Sequence, residues 1–278
     1  ELFKNFSLRG AIGTGFRAPS LQQQYFNNSY SDISTSGSGI VNKGIFTNDS
    51  AIAQEIGFDK LKEEKSVNAS AGFTFKPVDK LFITLDGYLV KVKDRIVITS
   101  QFSDPSFAAY DVESARFFAN AVDTETKGVD LVVSYDWALG GGNLNINLAG
   151  NYTETKITKF NFPEKVLANH SQDEFFGPDQ INIIESLSPK TKASLGLNYK
   201  INKFNFLVRN TYFGEVTRDG FPYGSVQKFA PKVVTDLSVG YDITKKLNFT
   251  IGANNLFDVF PDLQVYENSY FGVFKYAP

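Results

Sequence analysis

Cysteine and methionine are both absent from this chain of 278 residues, and tryptophan and histidine occur once each. The absence of cysteine excludes a disulfide framework and any metal site built from thiolates. A charge excess of one sign is also missing, because the formal net charge is only −2. Nothing in this balance of charge indicates a nucleic-acid partner.

Long apolar runs are missing as well. A membrane-spanning helix needs roughly 20 consecutive apolar residues, whereas the runs here extend over a few residues and the mean hydropathy is −0.19. A membrane β-barrel escapes that requirement, because only every second residue of each strand faces lipid. The chain does not begin with methionine, and residues 1–10 lack the apolar core of a signal peptide, so we expect a piece of a longer protein.

The apolar side chains recur with a period of two. Side chains alternate across a β-strand, so every second residue faces the same side. In residues 128–137 one row is apolar, and the other contains Asp130, Ser134 and Asp136. The same alternation occurs in residues 67–75, 144–152, 193–199, 233–241 and 247–253. In residues 81–95 the phase is ambiguous near Leu89 and Val90.

A soluble β-sandwich would alternate too, but two features favour a membrane barrel. The segments are about 10 residues long, and ten residues at ~3.4 Å rise and ~40° tilt span roughly 26 Å, the height of the apolar band of such barrels. The apolar rows also tend to end in aromatic residues, which favour membrane–water interfaces. These residues are Trp137, Tyr152, Tyr199, Tyr212 and Tyr241.

The connections between these segments alternate in length. Short turns are expected near residues 77–80, 139–143, 200–203 and 244–246, and long loops at 20–64, 99–115, 158–188 and 215–230. Short turns on one rim and long loops on the other are typical of outer-membrane barrels. We predict an all-β fold, an antiparallel transmembrane barrel, of which this chain supplies about nine strands. Bacterial single-chain barrels close with an even number of strands, so further strands are expected before residue 1 and after Pro278.

Four motifs support a family resemblance. They are G-F-R-A-P-S at residues 15–20, D-G-Y-L-V-K-V-K-D-R-I at 86–96, K-G-V-D-L at 127–131 and N-N-L-F-D at 254–258. In this set and order they resemble TonB-dependent outer-membrane receptors, with Asp130 where the family has Glu. The segment at 270–276 is similar to receptors of the Bacteroidetes type.

The resemblance implies a barrel of about 22 strands with a plugged lumen. Residues 1–278 would form the C-terminal part of that barrel, with the plug domain and the final strand outside this chain. It implies an outer-membrane receptor that takes up a siderophore, a vitamin-like chelate, a glycan or a peptide. Energy would come from the TonB-ExbB-ExbD system through the plug, and a surface lipoprotein is a further expected partner. A passive porin or an adhesin barrel is the alternative.

Several motif residues are expected to have structural roles: Gly15, Arg17, Pro19, Asn254, Asn255 and Phe257. Arg17 is expected to anchor a strand end by hydrogen bonds to neighbouring backbone or to the plug. Residues 13–18 also fit a G-x-G-x-x-A dinucleotide fingerprint, but that fingerprint requires a helix to open directly afterwards. Pro19 and a polar stretch follow instead, so we expect no nucleotide site and no other cofactor.

Ligand contact is expected from the first long loop, through aromatic stacking and amide hydrogen bonds by Tyr25, Phe26, Asn27 and Tyr30. The same loop could equally be disordered chain. His170 is the only histidine, and an exposed loop residue is favoured over a catalytic one, so we expect no enzyme and no metal site.

Polar side chains on the inner face are expected to hydrate a wet lumen or to bond the plug, and direct contact with a substrate is the second interpretation. They are Asp86, Asp130, Asp236, Asn145, Asn147 and Arg209.

Overall fold

The computed structural model describes residues 5–33, 39–168, 170–220, 224–269, 273 and 276. Its strands are β1 (Phe6–Arg17), β2 (Asn28–Ile33), β3 (Ile40–Phe46), β4 (Glu64–Val78), β5 (Leu81–Ile98), β6 (Ser114–Leu139), β7 (Gly142–Phe160), β8 (Thr191–Ile201), β9 (Phe204–Phe213), β10 (Val216–Arg218), β11 (Gln227–Phe229), β12 (Lys232–Thr244) and β13 (Leu247–Ala253). Its helices are α1 (Leu21–Tyr25), α2 (Ala51–Ile56), a 3-10 helix (Pro105–Tyr110), α3 (Glu164–Leu167), α4 (Gln172–Phe175) and α5 (Pro178–Glu185). No helix in these ranges is long and apolar enough to cross a membrane.

Nine strands form one continuous antiparallel sheet in the order β1-β4-β5-β6-β7-β8-β9-β12-β13. The four remaining strands are short or lie in the long loops: β2 and β3 form a hairpin, and β10 pairs with β11. The prediction of nine barrel strands is therefore confirmed. Each strand pairs with the next long strand along the chain, which is the up-and-down connectivity of a membrane barrel.

Two-residue turns join the strands at one rim, at residues 79–80, 140–141, 202–203 and 245–246. Gly140 and Gly141 both have positive φ, at 56° and 81°. A hairpin turn with two positive φ angles matches the right-handed twist of the strands, and glycine adopts it without a steric penalty. The predicted alternation of short turns and long loops is confirmed at every connection.

The apolar rows of the nine strands lie on one face of the sheet and are left uncovered. Ile12 and Phe16 are 82% and 79% exposed. The contacts of these rows run only sideways to neighbouring strands, as in the stacking of Phe6 on Phe73 with ring centroids 5.6 Å apart. In the described part of the chain, none of these rows packs against a second layer. This face is therefore the outer face of the barrel, which contacts lipid.

The register of β5 resolves the ambiguous phase of that strand. Leu89 pairs with Ala69 and Lys127 in the outward row, whereas Val90 pairs with Asn68 and Thr126 in the inward row. Inward rows therefore include an occasional apolar residue, which blurs the period in the sequence.

Aromatic residues lie at both ends of the apolar face. Trp137 is level with Leu144 and Tyr199 at the turn end, and the Tyr199 hydroxyl donates a hydrogen bond to the carbonyl of Leu139 at 2.9 Å. Tyr152 and Tyr212 lie near the loop end, through their pairs with Thr191 and Ala193. This placement fits two interfacial girdles.

A compact hydrophobic core lies in the long loops and not between the strands. It is built by α2, the segments around the 3-10 helix and α4, and the loop end of β6. Phe58 stacks on Phe117 with ring centroids 4.8 Å apart, and Phe102 meets Phe175 edge to face at 4.3 Å. We call this unit the loop cap. It extends above the rim as a packed structure with its own interior.

Replacing Phe117 by Ala should unfold the loop cap locally. Phe117 is fully buried, and deleting a buried phenyl ring costs about 3–5 kcal/mol. Hydrogen exchange should accelerate in residues 50–58 and 99–117 and stay unchanged in β8 and β9. Phe75→Ala on the lipid-facing row is the control and should leave exchange in the cap unchanged. Equal acceleration in both variants would contradict a separate loop core.

Candidate functional site

The inner face of the sheet carries a network of side-chain hydrogen bonds. Asn151 donates to Asp130 at 2.5 Å, and Asn145 donates to Asp136 at 2.8 Å. Near the first strand, the Arg9 guanidinium donates to both oxygens of Asp86, once at 2.7 Å. The predicted inner-face carboxylates therefore have partners within the wall itself, and the lumen is lined by a pre-ordered polar surface.

Two inner-face cations differ from this pattern. Arg209 pairs with Asp236 in the backbone register, but the Asp236 carboxylate accepts the backbone N–H of Asn255 at 2.9 Å. Lys192 lies over the Phe213 ring at 5.0 Å. Within the described ranges, neither Lys192 nor Arg209 has a carboxylate within 4.0 Å. Both cations can therefore meet an anionic group in the lumen.

A polar basin of about 350 Å³ lies at the turn end of the inner face. Five of its seven lining residues are asparagines. They are Asn143, Asn145, Asn198, Asn205 and Asn248, with Lys200 and Asp242. Amide side chains both donate and accept hydrogen bonds, so the polar basin suits a polar side chain or a stretch of backbone packed against it.

An apolar pocket of about 220 Å³ lies at the loop end of the inner face. The β10–β11 hairpin forms one wall, since Val216 and Phe229 are almost fully buried, and the segment 259–261 forms the opposite wall. The remaining lining residues are Pro189, Phe213, Gly214, Ala230, Lys232 and Val234. An apolar pocket with few polar groups is the usual form of a small-molecule site.

One ion pair and one amide hold the walls of this pocket. Lys232 donates to Asp262 at 2.5 Å, and Asp262 also accepts the backbone N–H of Ala230. Asn182 of α5 bonds the backbone of the hairpin at Thr217 and Asp219. These bonds connect the pocket walls to the sheet and to the third long loop.

His170 joins two loops of the cap. Its Nε2 lies 2.7 Å from Asp104 of the second loop, and its Nδ1 lies 2.7 Å from Glu174 of its own loop. The rings of Phe102 and Phe175 pack edge to face against it. Its side chain is only 8% exposed, so the expectation of an exposed loop histidine is wrong. A charge pair across the two loops explains the burial.

The protonation of this cluster follows from its surroundings. Burial lowers the pKa of His170, but the hydrogen bonds and charges of Asp104 and Glu174 outweigh burial, and the net shift raises it. Burial raises the pKa of Asp104, and hydrogen bonds from Ser106 and His170 overcome this and lower it. We call His170, Asp104 and Glu174 the His170 clasp, and these shifts favour an imidazolium between two carboxylates.

Arg17 anchors a strand end, although by a different partner from the expected backbone or plug. Its guanidinium donates two hydrogen bonds to Glu64, at 2.8 and 2.5 Å. The Glu64 carboxylate also accepts the backbone N–H of Ile96 at 2.8 Å. The pair ties β1, β4 and β5 together where the loop cap begins.

The other residues of the first motif shape the exit from β1. Gly15 pairs with Ser66, and a Cβ at Gly15 would come within 3.0 Å of the Ser66 hydroxyl. Contrary to the expectation of no helix after Pro19, α1 begins at Leu21, because Ser20 and Gln23 form a capping box. β1 pairs antiparallel with β4, so the parallel βαβ context of a dinucleotide site is not formed there.

The predicted ligand residues of the first loop lie exposed. Tyr25 ends α1, Phe26 caps it, Asn27 follows, and Tyr30 lies in the β2–β3 hairpin opposite Lys43. Tyr25 and Tyr30 are 67% and 47% exposed. The described part of this loop contains α1 and the β2–β3 hairpin.

Asn255 forms the turn at the motif of residues 254–258, with φ of 49° and side-chain bonds to both backbone groups of Val259. Asn254 precedes it, and Phe257 is 68% exposed. The segment at 270–276 lies mostly outside the described residues.

Sequence reasoning missed the apolar pocket and the His170 clasp. Both bring together residues from loops that lie far apart in the chain, and neither has a local motif. The described residues include no group of three or more His, Cys, Asp or Glu side chains placed to hold a metal ion.

A family model described as "TonB dependent receptor-like, beta-barrel" matches residues 1–256. The chain belongs to the TonB-dependent receptor family. It therefore lies in the outer membrane of a Gram-negative bacterium, in a family of receptors and transporters. No curated protein matches the sequence.

Solved structures of such receptors share the fold of this barrel segment. A mutant of the ferric enterobactin receptor PfeA from Pseudomonas aeruginosa, in complex with enterobactin, is 17% identical with a TM-score of 0.61, over 93% of this chain and 34% of that chain. The siderophore receptor PirA from Acinetobacter baumannii is 17% identical with a TM-score of 0.59, over 94% and 36%. The copper transporter OprC is 21% identical with a TM-score of 0.57, over 92% and 33%. The chain spans about a third of the length of these structures.

The clasp predicts a pH dependence of the loop cap. A raised histidine pKa gives stability that is fully present below the ordinary value of about 6.5 and is lost as the pH rises through the raised value. Hydrogen exchange of residues 99–113 and 170–176, corrected for intrinsic rates, should accelerate as the pH rises from 5.5 to 9. His170→Gln should remove this pH dependence, and an unchanged profile in that variant would contradict the clasp.

The strand-end anchor predicts a cost for a conservative change. Arg17→Lys keeps the charge but loses the fork that contacts both Glu64 oxygens, which should cost about 1 kcal/mol at this half-exposed site. Amides at residues 15–17 and 94–96 should exchange faster. Glu63→Gln, in an exposed ion pair next to the anchor, is the matched control and should change exchange little. Identical exchange in Arg17→Lys and the native protein would argue against the anchor.

Proposed function

We propose that this barrel belongs to an outer-membrane receptor that takes up a scarce nutrient with energy delivered through TonB. The ligand would be a siderophore, a vitamin-like chelate, a glycan or a peptide. The observation that supports uptake is the apolar pocket at the loop end of a polar inner wall. A wall whose carboxylates are already hydrogen-bonded offers a rigid surface on which a ligand and a plug can bind.

The proposed domain arrangement assigns residues 1–278 to the C-terminal part of the barrel, with the plug domain and a closing strand elsewhere in the protein. β1 and β13 are the ends of the sheet. Unpaired backbone groups at such ends are not tolerated in hydrocarbon. The polar basin at the turn end would then form hydrogen bonds with the plug, through which TonB-ExbB-ExbD acts.

Ligand contact is proposed at two levels. Tyr25, Phe26, Asn27 and Tyr30 would make the first contact from the exposed loop, by stacking and amide bonds. The apolar pocket would then hold an apolar part of the ligand, with Lys192 and Arg209 below it for anionic oxygens. A surface lipoprotein that covers the loop cap would also contact the ligand at this first, exposed position.

No bond is made or broken in this proposal. His170 bonds the carboxylates of Asp104 and Glu174 within the cap, so this proposal assigns it a structural role. Lipid hydrolysis by the purified receptor that disappears in His170→Gln would support an enzyme instead.

Uptake and passive diffusion differ in their need for energy. A deletion strain should fail to grow on one iron source or glycan among several tested separately, and the intact gene should restore growth. Inactivation of TonB should abolish the same growth. Growth that persists without TonB would favour the alternative of a passive porin, and surface attachment without uptake would favour an adhesin.

A matched pair of variants tests the pocket. Phe260 lines the pocket and is 49% exposed, whereas Phe257 lies in the same segment, is 68% exposed and does not line it. With the nutrient found by growth, Phe260→Ala should weaken binding about tenfold, since an aromatic contact contributes about 1 kcal/mol or more. Phe257→Ala should bind like the native receptor. Equal affinities for both variants in calorimetric titration would exclude the pocket.

A further inference from the structure

Four adjacent strands change from apolar to charged side chains at nearly the same height on the lipid-facing side. On β4 the outward row passes from Val67 to Lys65, and on β5 from Leu89 to Lys91. On β6 and β7, Val129 and its partner Tyr152 are followed by the directly paired Lys127 and Glu154. The change occurs at the loop end, which is the outer-leaflet end of the barrel.

The charged side chains above this boundary are mainly cationic. We call the lysines the lysine belt: Lys65, Lys91, Lys93, Lys127 and Lys156. Three glutamates, Glu63, Glu125 and Glu154, are interspersed. Five ammonium groups against three carboxylates leave a positive excess on the outer face of β4–β7.

The ion pairs of the belt leave part of its charge uncompensated. Lys65, Lys91 and Lys156 lie 3.3, 3.1 and 3.7 Å from a glutamate. Their side chains remain 65%, 56% and 60% exposed. In the described part of the chain, Lys93 and Lys127 have no carboxylate within 4.0 Å.

The belt faces away from both the lumen and the loop core. On β6 and β7 the inward neighbours of the belt include Thr126 and Thr155, whose hydroxyls bond each other at 2.8 Å, and on β4 the inward Glu64 is paired with Arg17. The belt also has no counterpart at the turn end, where outward rows end in Phe75, Trp137 and Tyr241. Lysines near that end lie in the turns, at Lys80, Lys203, Lys245 and Lys246, or at strand ends, where Lys76 contacts Phe82 and Lys200 lines the polar basin.

We propose that the lysine belt binds the phosphate groups of anionic lipids in the outer leaflet. The lysine stems extend from the apolar band and place their ammonium groups at headgroup height. Ammonium groups bind phosphate as point charges, and clusters of them near an apolar surface select anionic lipids. The apolar rows directly below would hold the acyl chains, so the site fits a phosphorylated lipid and not a free phosphate ion. This inference requires only the barrel in its membrane and does not depend on the imported nutrient.

The test uses the intact receptor in a zwitterionic detergent and a diphosphorylated lipid A as probe. Lipid binding is measured by native mass spectrometry at low and high salt. The belt variant is Lys91→Gln with Lys93→Gln and Lys127→Gln. The matched control is Lys203→Gln with Lys245→Gln and Lys246→Gln, which removes the same charge at the turn end. Retention of the compact, folded barrel on unheated gels confirms that both variants fold.

The belt variant should bind the probe at least tenfold more weakly than the native receptor, and the control should bind within twofold of it. High salt should reduce the native affinity towards that of the belt variant, because counterions screen exposed charges. A lipid A without phosphates should bind all three proteins alike. Equal weakening in both variants, unchanged binding in the belt variant, or displacement of the probe by millimolar inorganic phosphate would each overturn the proposal.

Discussion

Backbone hydrogen bonding in hydrocarbon is the constraint on which the rest of this structure depends. A peptide group that faces lipid has no water to bond, so each strand must pair along its length with two neighbours. The seven strands between β1 and β13 each have two neighbours in the meander, and two-residue turns at one rim reverse the chain with almost no unpaired backbone. Once the strands are paired, the side-chain period of two determines which residues face lipid and which face the lumen. A register shift of one residue would exchange the two rows.

The two faces then follow different physical rules. The outer face needs no partner, so its aliphatic and aromatic side chains are stabilised by lipid and by their neighbours along the ladder. The inner face is wet, and its carboxylates are bonded by arginine and asparagine within the wall. In the described part of the chain the main hydrophobic interior forms in the loop cap, where Phe117 and Phe175 pack as in a water-soluble domain.

The sequence carried enough information to predict the barrel wall but not the loop cap. Period, strand length and turn residues are local signals, so the nine strands, their turns and the outward rows could be predicted, and the motif at residues 15–20 pointed to the family. The cap depends on contacts between distant loops. His170 looked like a surface residue because its partner Asp104 lies 66 positions away. Arg17 was expected to bond backbone or the plug, and its actual partner Glu64 could be found only from the register of β1 and β4.

The length of β6 has a consequence for how a ligand first meets the protein. This strand has 26 residues, more than twice the 9–11 that cross a bilayer, and β3 pairs with its first residues, Ser114 to Phe117. The β2–β3 hairpin is therefore carried roughly 30 Å beyond the hydrocarbon boundary near residue 128, at ~3.3 Å per residue and ~40° tilt. Electrostatic fields in physiological salt decay over about 8 Å. A negatively charged molecule at this hairpin is therefore several decay lengths away from the charge of the bilayer surface.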